Sequence, residues 1–421
     1  MRKWSVVGAL LLGLCLVAPG NAENFEQYCS IADFASPARQ TIVVLDDALL
    51  YPEGGEQPDK RNVQWRHFLG NLVLAEQPTM EQTFLPRERV TVAIARRDGA
   101  GLRSVFAGCL PFYSADEKRK IKGSAGNMDS LHEFFGTGPI ADAKKGMNLY
   151  RIRFAAALRD ALQPTLLSPP AAPRGGGDLG NNGFVNSLKG GSLVNFAYGI
   201  PRILLVSDMA RFLGGFPADR PKARALALKK AQSADLNFRG AEIYAVGASA
   251  NTVARDALDM FFLASHGELV SIGPLTAIPQ FAPAPVHVAC YQGLVQYPDN
   301  RFPIRLRLAT DENGTSVNSW ISVQTSREQF NPVHGVLTCP PNRSCLFTGD
   351  DVFAQAWNVN RGTGNDPLFD QILPFAGARS LKFSLTGSTI NGSISDTLLH
   401  FKGVRASRLE FTASRQSNGR C

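Results

Sequence analysis

Apolar and polar positions alternate with two different textures along the chain. Gln40–Leu45 reads as a short continuous apolar run closed by Asp46 and Asp47, the pattern of a strand buried on both faces. Arg89–Ala95 and Leu102–Ala107 are β-rich runs, and Gly99–Ala100–Gly101 between them predicts a hairpin. Ile203–Val206 is another buried run, closed by Ser207 and Asp208. Glu242–Val246 and Glu268–Ile272 follow as further strands. Helical spacing of apolar residues marks Lys60–Leu74, Asn148–Leu162, Lys222–Ser233 and Thr252–Ser265. Strands alternating with helices predict an α/β fold, a doubly wound, mostly parallel sheet with helices on both faces.

After Pro274 the helical period fades. Pro279, Pro283 and Pro285 mark a linker over 276–285. Short β-rich segments then recur at Val286–Tyr291, Phe302–Leu308, Ser319–Thr325, Gly335–Thr338, Ser380–Thr386 and Arg408–Thr412, with Gly, Asn and Asp between them. This predicts an all-β C-terminal domain over 286–421, a sandwich or a barrel. The α/β part occupies 23–275, and a Gly/Pro-rich loop interrupts it at 164–192.

The first residues read as an address. Arg2 and Lys3 precede an apolar Val6–Val17, and Gly20 and Ala22 place small residues before a cut at Glu23. A cleaved signal over 1–22 predicts an exported protein, periplasmic or secreted. Six cysteines remain after Cys15 is removed with the signal, an even set that suits disulfides in an exported chain. Domain boundaries favour Cys29 with Cys109, Cys339 with Cys345, and Cys290 with Cys421. The net charge of +8 is spread over both parts of the 421-residue chain. No dense basic stripe with interleaved aromatics supports nucleic-acid binding. The mature chain has no apolar run long enough to span a bilayer as a helix.

The segments V-V-L-D-D at 43–47, V-T-V-A-I-A at 90–95, L-L-V-S-D-M at 204–209, E-I-Y-A-V-G at 242–247 and F-F-L-A-S-H-G-E at 261–268 come in an order that resembles a von Willebrand factor A-type (vWA) domain over about residues 40–275. The resemblance implies a metal-ion-dependent adhesion site at the strand ends. That site takes Mg²⁺ through a first-loop D-x-S-x-S, a second-loop Thr and a third-loop Asp. Asp46 matches the first Asp and Asp208 the third-loop Asp, and Thr137 in G-T-G is the candidate for the second loop. Ala48 and Leu50 stand where the two hydroxyls belong, so the implied site is degenerate, with Asp47 as a further carboxylate.

No catalytic constellation is evident. There is no D-x-D after the first strand, no G-K-[ST] after the Gly-rich stretch, no G-x-S-x-G and no H-x-x-x-H. The expectation is therefore a non-catalytic protein-binding or adhesion-type module of the cell envelope. Its partner would be a protein or envelope component. The alternatives are a structural part of an envelope or secretion assembly, and a metal-dependent hydrolase. Replacing Asp46 and Asp208 together by Ala is expected to leave folding nearly intact while removing metal or partner binding.

Overall fold

The computed structural model describes residues 39–46, 88–96, 101–109, 199–209, 216–248, 251–282, 285–296, 300–324, 328–351, 380–401 and 404–417, with separate positions within 25–29, 119–123, 138–160 and 185–188, and Phe68 and Phe212. The predicted signal, most of the 60–74 helix and most of the 164–192 loop lie outside these residues.

The first sheet is built from β1 (Arg39–Asp46), β2 (Arg89–Ala95), β3 (Leu102–Cys109), β4 (Ile200–Val206), β5 (Ala241–Val246) and β6 (Gly267–Gly273). Their order is β3-β2-β1-β4-β5-β6. The β2–β3 pair is antiparallel, as the hairpin signal predicts, and all other neighbours are parallel. Strands β1, β4 and β5 are buried along their whole length, which is why their sequences are continuous apolar runs rather than alternations.

The two faces of the sheet differ in cover. Ile42, Val44, Ile203, Leu205, Ile243 and Ala245 point to one face, under α1 (Arg220–Ala234) and α2 (Thr252–Ala264). Helix α1 starts where Asp219 accepts a hydrogen bond from the Lys222 amide at 2.9 Å, with Pro221 in the first turn, and it ends at Asp235 in the left-handed region. Asn251 caps α2 in the same way through the Ala254 amide at 2.8 Å. Val185 and Leu188, inside the stretch read as a Gly/Pro-rich loop, are helical positions buried against this face. Val43, Leu45, Val92, Ile94, Leu204, Val206 and Val246 point to the other face. Phe25, Phe68 and Ala157 cover part of it, and Phe68 and Ala157 are helical positions.

The Pro-rich linker completes that second face. Leu275, Ile278 and Phe281 pack against it. Phe281 meets Tyr244 edge-on at 5.0 Å and lies 3.9 Å under the Arg202 guanidinium. The Ala282 amide donates to the Tyr244 hydroxyl at 2.9 Å. The segment is thus a strap across the sheet as well as a connection.

Beyond it, β7 (His287–Gln296), β8 (Arg301–Thr310), β9 (Ser319–Gln324), β10 (Glu328–Thr338), β11 (Cys345–Asp351), β12 (Ser380–Thr386), β13 (Thr389–Phe401) and β14 (Val404–Arg415) close into an antiparallel barrel. Of the two predicted alternatives, sandwich and barrel, the second is observed. Its interior is filled by side chains such as Val295, Leu306, Val323, Phe347, Phe383, Ile390 and Phe411. Strands β11 and β13 have no counterpart in the sequence reading. In β11 only Leu346 and Phe347 are large apolar residues, and in β13 Asn391–Gly392–Ser393 interrupts the alternation, so the apolar period is thin.

Two disulfides match the expected pairing, Cys29–Cys109 and Cys339–Cys345. Cys290 is also disulfide-bonded, and its expected partner Cys421 lies outside the described residues.

Barrel and sheet meet along the amino ends of β4, β5 and β6. Trp320, fully buried, packs on Gly240 and meets Phe330 edge-on at 4.7 Å. Asn318 donates to the Pro201 carbonyl at 3.2 Å, Arg307 donates to the Gly240 carbonyl at 3.4 Å, and His334 pairs with Glu268 at 2.5 Å. Gly240 has φ +72°, and a Cβ there would lie 2.5 Å from Trp320 Cδ1. Gly240→Ala is therefore expected to cost about 2–4 kcal/mol, from backbone strain and displacement of Trp320 together. Gly101→Ala, also at positive φ but facing open space, is expected to lose only the strain part, about 1–2 kcal/mol. Urea unfolding of both variants followed by tryptophan fluorescence measures the difference.

Candidate functional site

Parallel pairing of Leu45 with Val206 brings the next residues, Asp46 and Ser207, side by side at the carboxyl ends of β1 and β4. Asp46 is nearly buried, with 8% of its surface exposed, and Ser207 is fully buried. The Ser207 hydroxyl donates to Asp46 Oδ2 at 2.5 Å and accepts from the Met209 amide at 3.0 Å. The Ser207 amide donates to the Val246 carbonyl at 2.9 Å. Met209 then takes φ +52°, so the chain turns sharply and leaves Asp208 half-buried on the rim. Gly247, at φ +94°, keeps the neighbouring strand end clear, since a Cβ there would stand 3.3 Å from the Ser207 carbonyl.

Asp46 and Asp208 thus share one edge, as the sequence predicts, while Asp47 and Thr137 lie outside the described residues. Ser207 is the residue the degenerate ligand set omits. Its signal is its position, directly after a buried strand that pairs with β1.

Described donors do not make a Mg²⁺ shell. Such an ion needs about six oxygens in octahedral array, whereas the edge supplies two carboxylates and one hydroxyl already held by Asp46. Among the described residues no group of three or more His, Cys, Asp or Glu could hold a metal.

Among the described residues no histidine side chain bonds the Ser207 hydroxyl, whose acceptor is Asp46. His266 and His334 belong to the amino-end seam, at the opposite end of the sheet. His266, at φ +60°, is part-buried, its ring bonds the Phe330 backbone, and desolvation lowers its pKa to about 4. The imidazole is neutral at neutral pH, so it does not act as the cation that a His at the end of α2 would offer the helix dipole. His334, by contrast, is held above the usual range by its bond to Glu268.

Other perturbed groups cluster at that same end. Glu88 is fully buried and accepts from Arg39 at 3.1 Å, from Arg202 at 2.9 Å and from the Thr41 hydroxyl. Burial lowers Arg202 to about 10 and Arg307 to about 9. Burial, with Glu268 beside it, raises Glu242, which accepts from the Tyr244 hydroxyl at 3.1 Å. Perturbed groups often mark catalytic clefts. Here the strap and the barrel seal them from solvent, and they form the seam between the two sheets.

Compared with known proteins, the chain matches no family model and no curated protein.

The buried hydroxyl corrects one expectation. Asp46→Ala leaves the Ser207 hydroxyl without its acceptor and is expected to cost about 1–3 kcal/mol. In a double-mutant cycle with Ser207→Ala, the two losses are expected to fall short of additivity by at least about 0.5 kcal/mol. Guanidinium unfolding of the four proteins measures this, and simple additivity would mean that the bond contributes nothing.

Proposed function

We propose that this chain is an exported, non-catalytic binding module of adhesion type, and that it engages a protein or envelope component through the carboxyl edge of its mixed sheet. The observation that carries the reading is the strand order. Going outward from β1, the chain runs to β2 and β3 on one side and to β4, β5 and β6 on the other. The order reverses between β1 and β4. Connections leaving these two strands diverge, and open α/β sheets bind ligands in the crevice so formed. Asp46 and Ser207 stand at that crevice, with Asp208 on its rim.

The vWA-like reading rests on the same elements: a buried first strand ending in Asp46, an antiparallel β2–β3 pair, and β4 ending in Ser207–Asp208. Disulfides at Cys29–Cys109 and Cys339–Cys345 support an oxidising compartment. Asp46 is bonded by Ser207, and Asp208 stands half-buried at the rim, where its charge and the backbone groups around it would face a partner. Hydrogen bonds and charge at this edge would carry the recognition.

A photo-crosslinking residue on the same edge, at Gly273 where an added side chain meets open space, tests this in envelope extract. The expected result is one adduct of defined mass, with Asp208→Lys lowering its yield at least about tenfold while the melting curve stays unchanged. Undiminished yield in the variant would remove the edge assignment. Divalent-metal-dependent ester or phosphate hydrolysis lost in Asp46→Asn would replace the reading by a hydrolase.

A further inference from the structure

Strands β10 and β11 are joined by a ring that the Cys339–Cys345 disulfide closes. Inside it the Arg343 amide donates to the Pro340 carbonyl at 3.3 Å, and Asn342 takes φ +57°. The Ser344 and Thr386 hydroxyls share a hydrogen bond of 2.7 Å, which ties the ring to β12. Residues 338–344, with Pro340, Pro341 and Arg343, are all exposed. The ring is therefore a stapled, outward-standing tip.

The strands behind the tip break the barrel's own alternation. Inward positions are apolar and filled, so outward positions face water and polar residues suit them. Val336 and Leu346 nevertheless point outward and are 46% and 54% exposed. Val336 pairs with Thr348, and Leu346 with Thr338, so the two aliphatic chains are diagonal neighbours at the base of the ring. Lys382 stands across from Thr348 on the same outer surface. Asp350 lies further from the tip, opposite His334.

We propose that this tip is a docking point for an anionic lipid leaflet. Residues 338–344 are exposed throughout, and a bilayer interface yields to an exposed apolar knob of this kind. Val336, Leu346 and the two prolines supply the apolar contact. Arg343 and Lys382 flank it as cations that complement lipid phosphates, and the chain as a whole carries +8. One such knob gives reversible attachment, in which the apolar and the charged contributions are both needed. This inference is independent of the binding edge, which lies on the other sheet.

Sedimentation of the full mature chain with vesicles tests it. One set is equimolar phosphatidylglycerol and phosphatidylcholine, and the other is phosphatidylcholine alone. The chain is expected to bind the anionic set saturably and to release as salt rises. Leu346→Ser with Arg343→Glu is expected to weaken binding at least about tenfold with an unchanged circular dichroism spectrum. Leu294→Ser, an equally exposed leucine elsewhere on the barrel, is expected to bind as the parent does. Absence of binding, equal binding to both lipid sets, or equal effects of the two variants would overturn the proposal. A stable protein complex formed through the tip, without vesicle binding, would overturn it too.

Discussion

Glu88 is the carboxylate on which the amino end of the molecule depends. It sits just before β2, has no exposed surface, and is held by Arg39 and Thr41 of β1 and by Arg202 of β4. Three neighbouring strands are joined through one side chain. Two arginines and a carboxylate taken out of water are stable only when their hydrogen bonds are met by each other. Arg202 passes the constraint on, because its guanidinium covers Phe281 of the strap. Tyr244 then links the strap to Glu242 through one hydroxyl.

This arrangement separates two tasks. The amino ends of the strands carry charge, but that charge is sealed by the strap and by Trp320, Arg307 and His334 of the barrel. The carboxyl ends remain the edge where the strand order reverses. Register fixed at one end of a parallel ladder is fixed at the other, so the clamp at Glu88 also sets Asp46 beside Ser207. The proposed binding edge is positioned by interactions about the length of a strand away.

The sequence made the apolar framework legible. Runs such as T-I-V-V-L and I-L-L-V announce strands buried on both faces, and their ends proved accurate to a few residues. Asp46 and Asp208 were placed on one edge because each follows such a run. The charged cluster was invisible for a physical reason. Arg39, Glu88, Arg202 and Glu242 lie far apart in the chain, and nothing local distinguishes a buried charge from a surface one. The linker was read from its prolines as a boundary, yet Leu275, Ile278 and Phe281 have no period that would reveal a packed strap. Strand β13 was missed because Gly392 and its polar neighbours break the apolar alternation. A Cβ at Gly392 would come within 2.5 Å of Phe383, so the glycine that hid the strand is required by its packing. His266 ends α2 with its ring bonded to the Phe330 backbone of the barrel, a contact that no local pattern announces.

Replacing Glu88 by Gln tests the central claim most directly, with unfolding followed both by far-ultraviolet circular dichroism and by tryptophan fluorescence. The account predicts a loss of about 3–5 kcal/mol, since the carboxylate that bonds both buried arginines is removed. It also predicts that both signals shift together, because the clamp, the strap and the Trp320 seam form one connected unit. A loss within about 0.5 kcal/mol of zero, the range of ordinary surface substitutions, would contradict it.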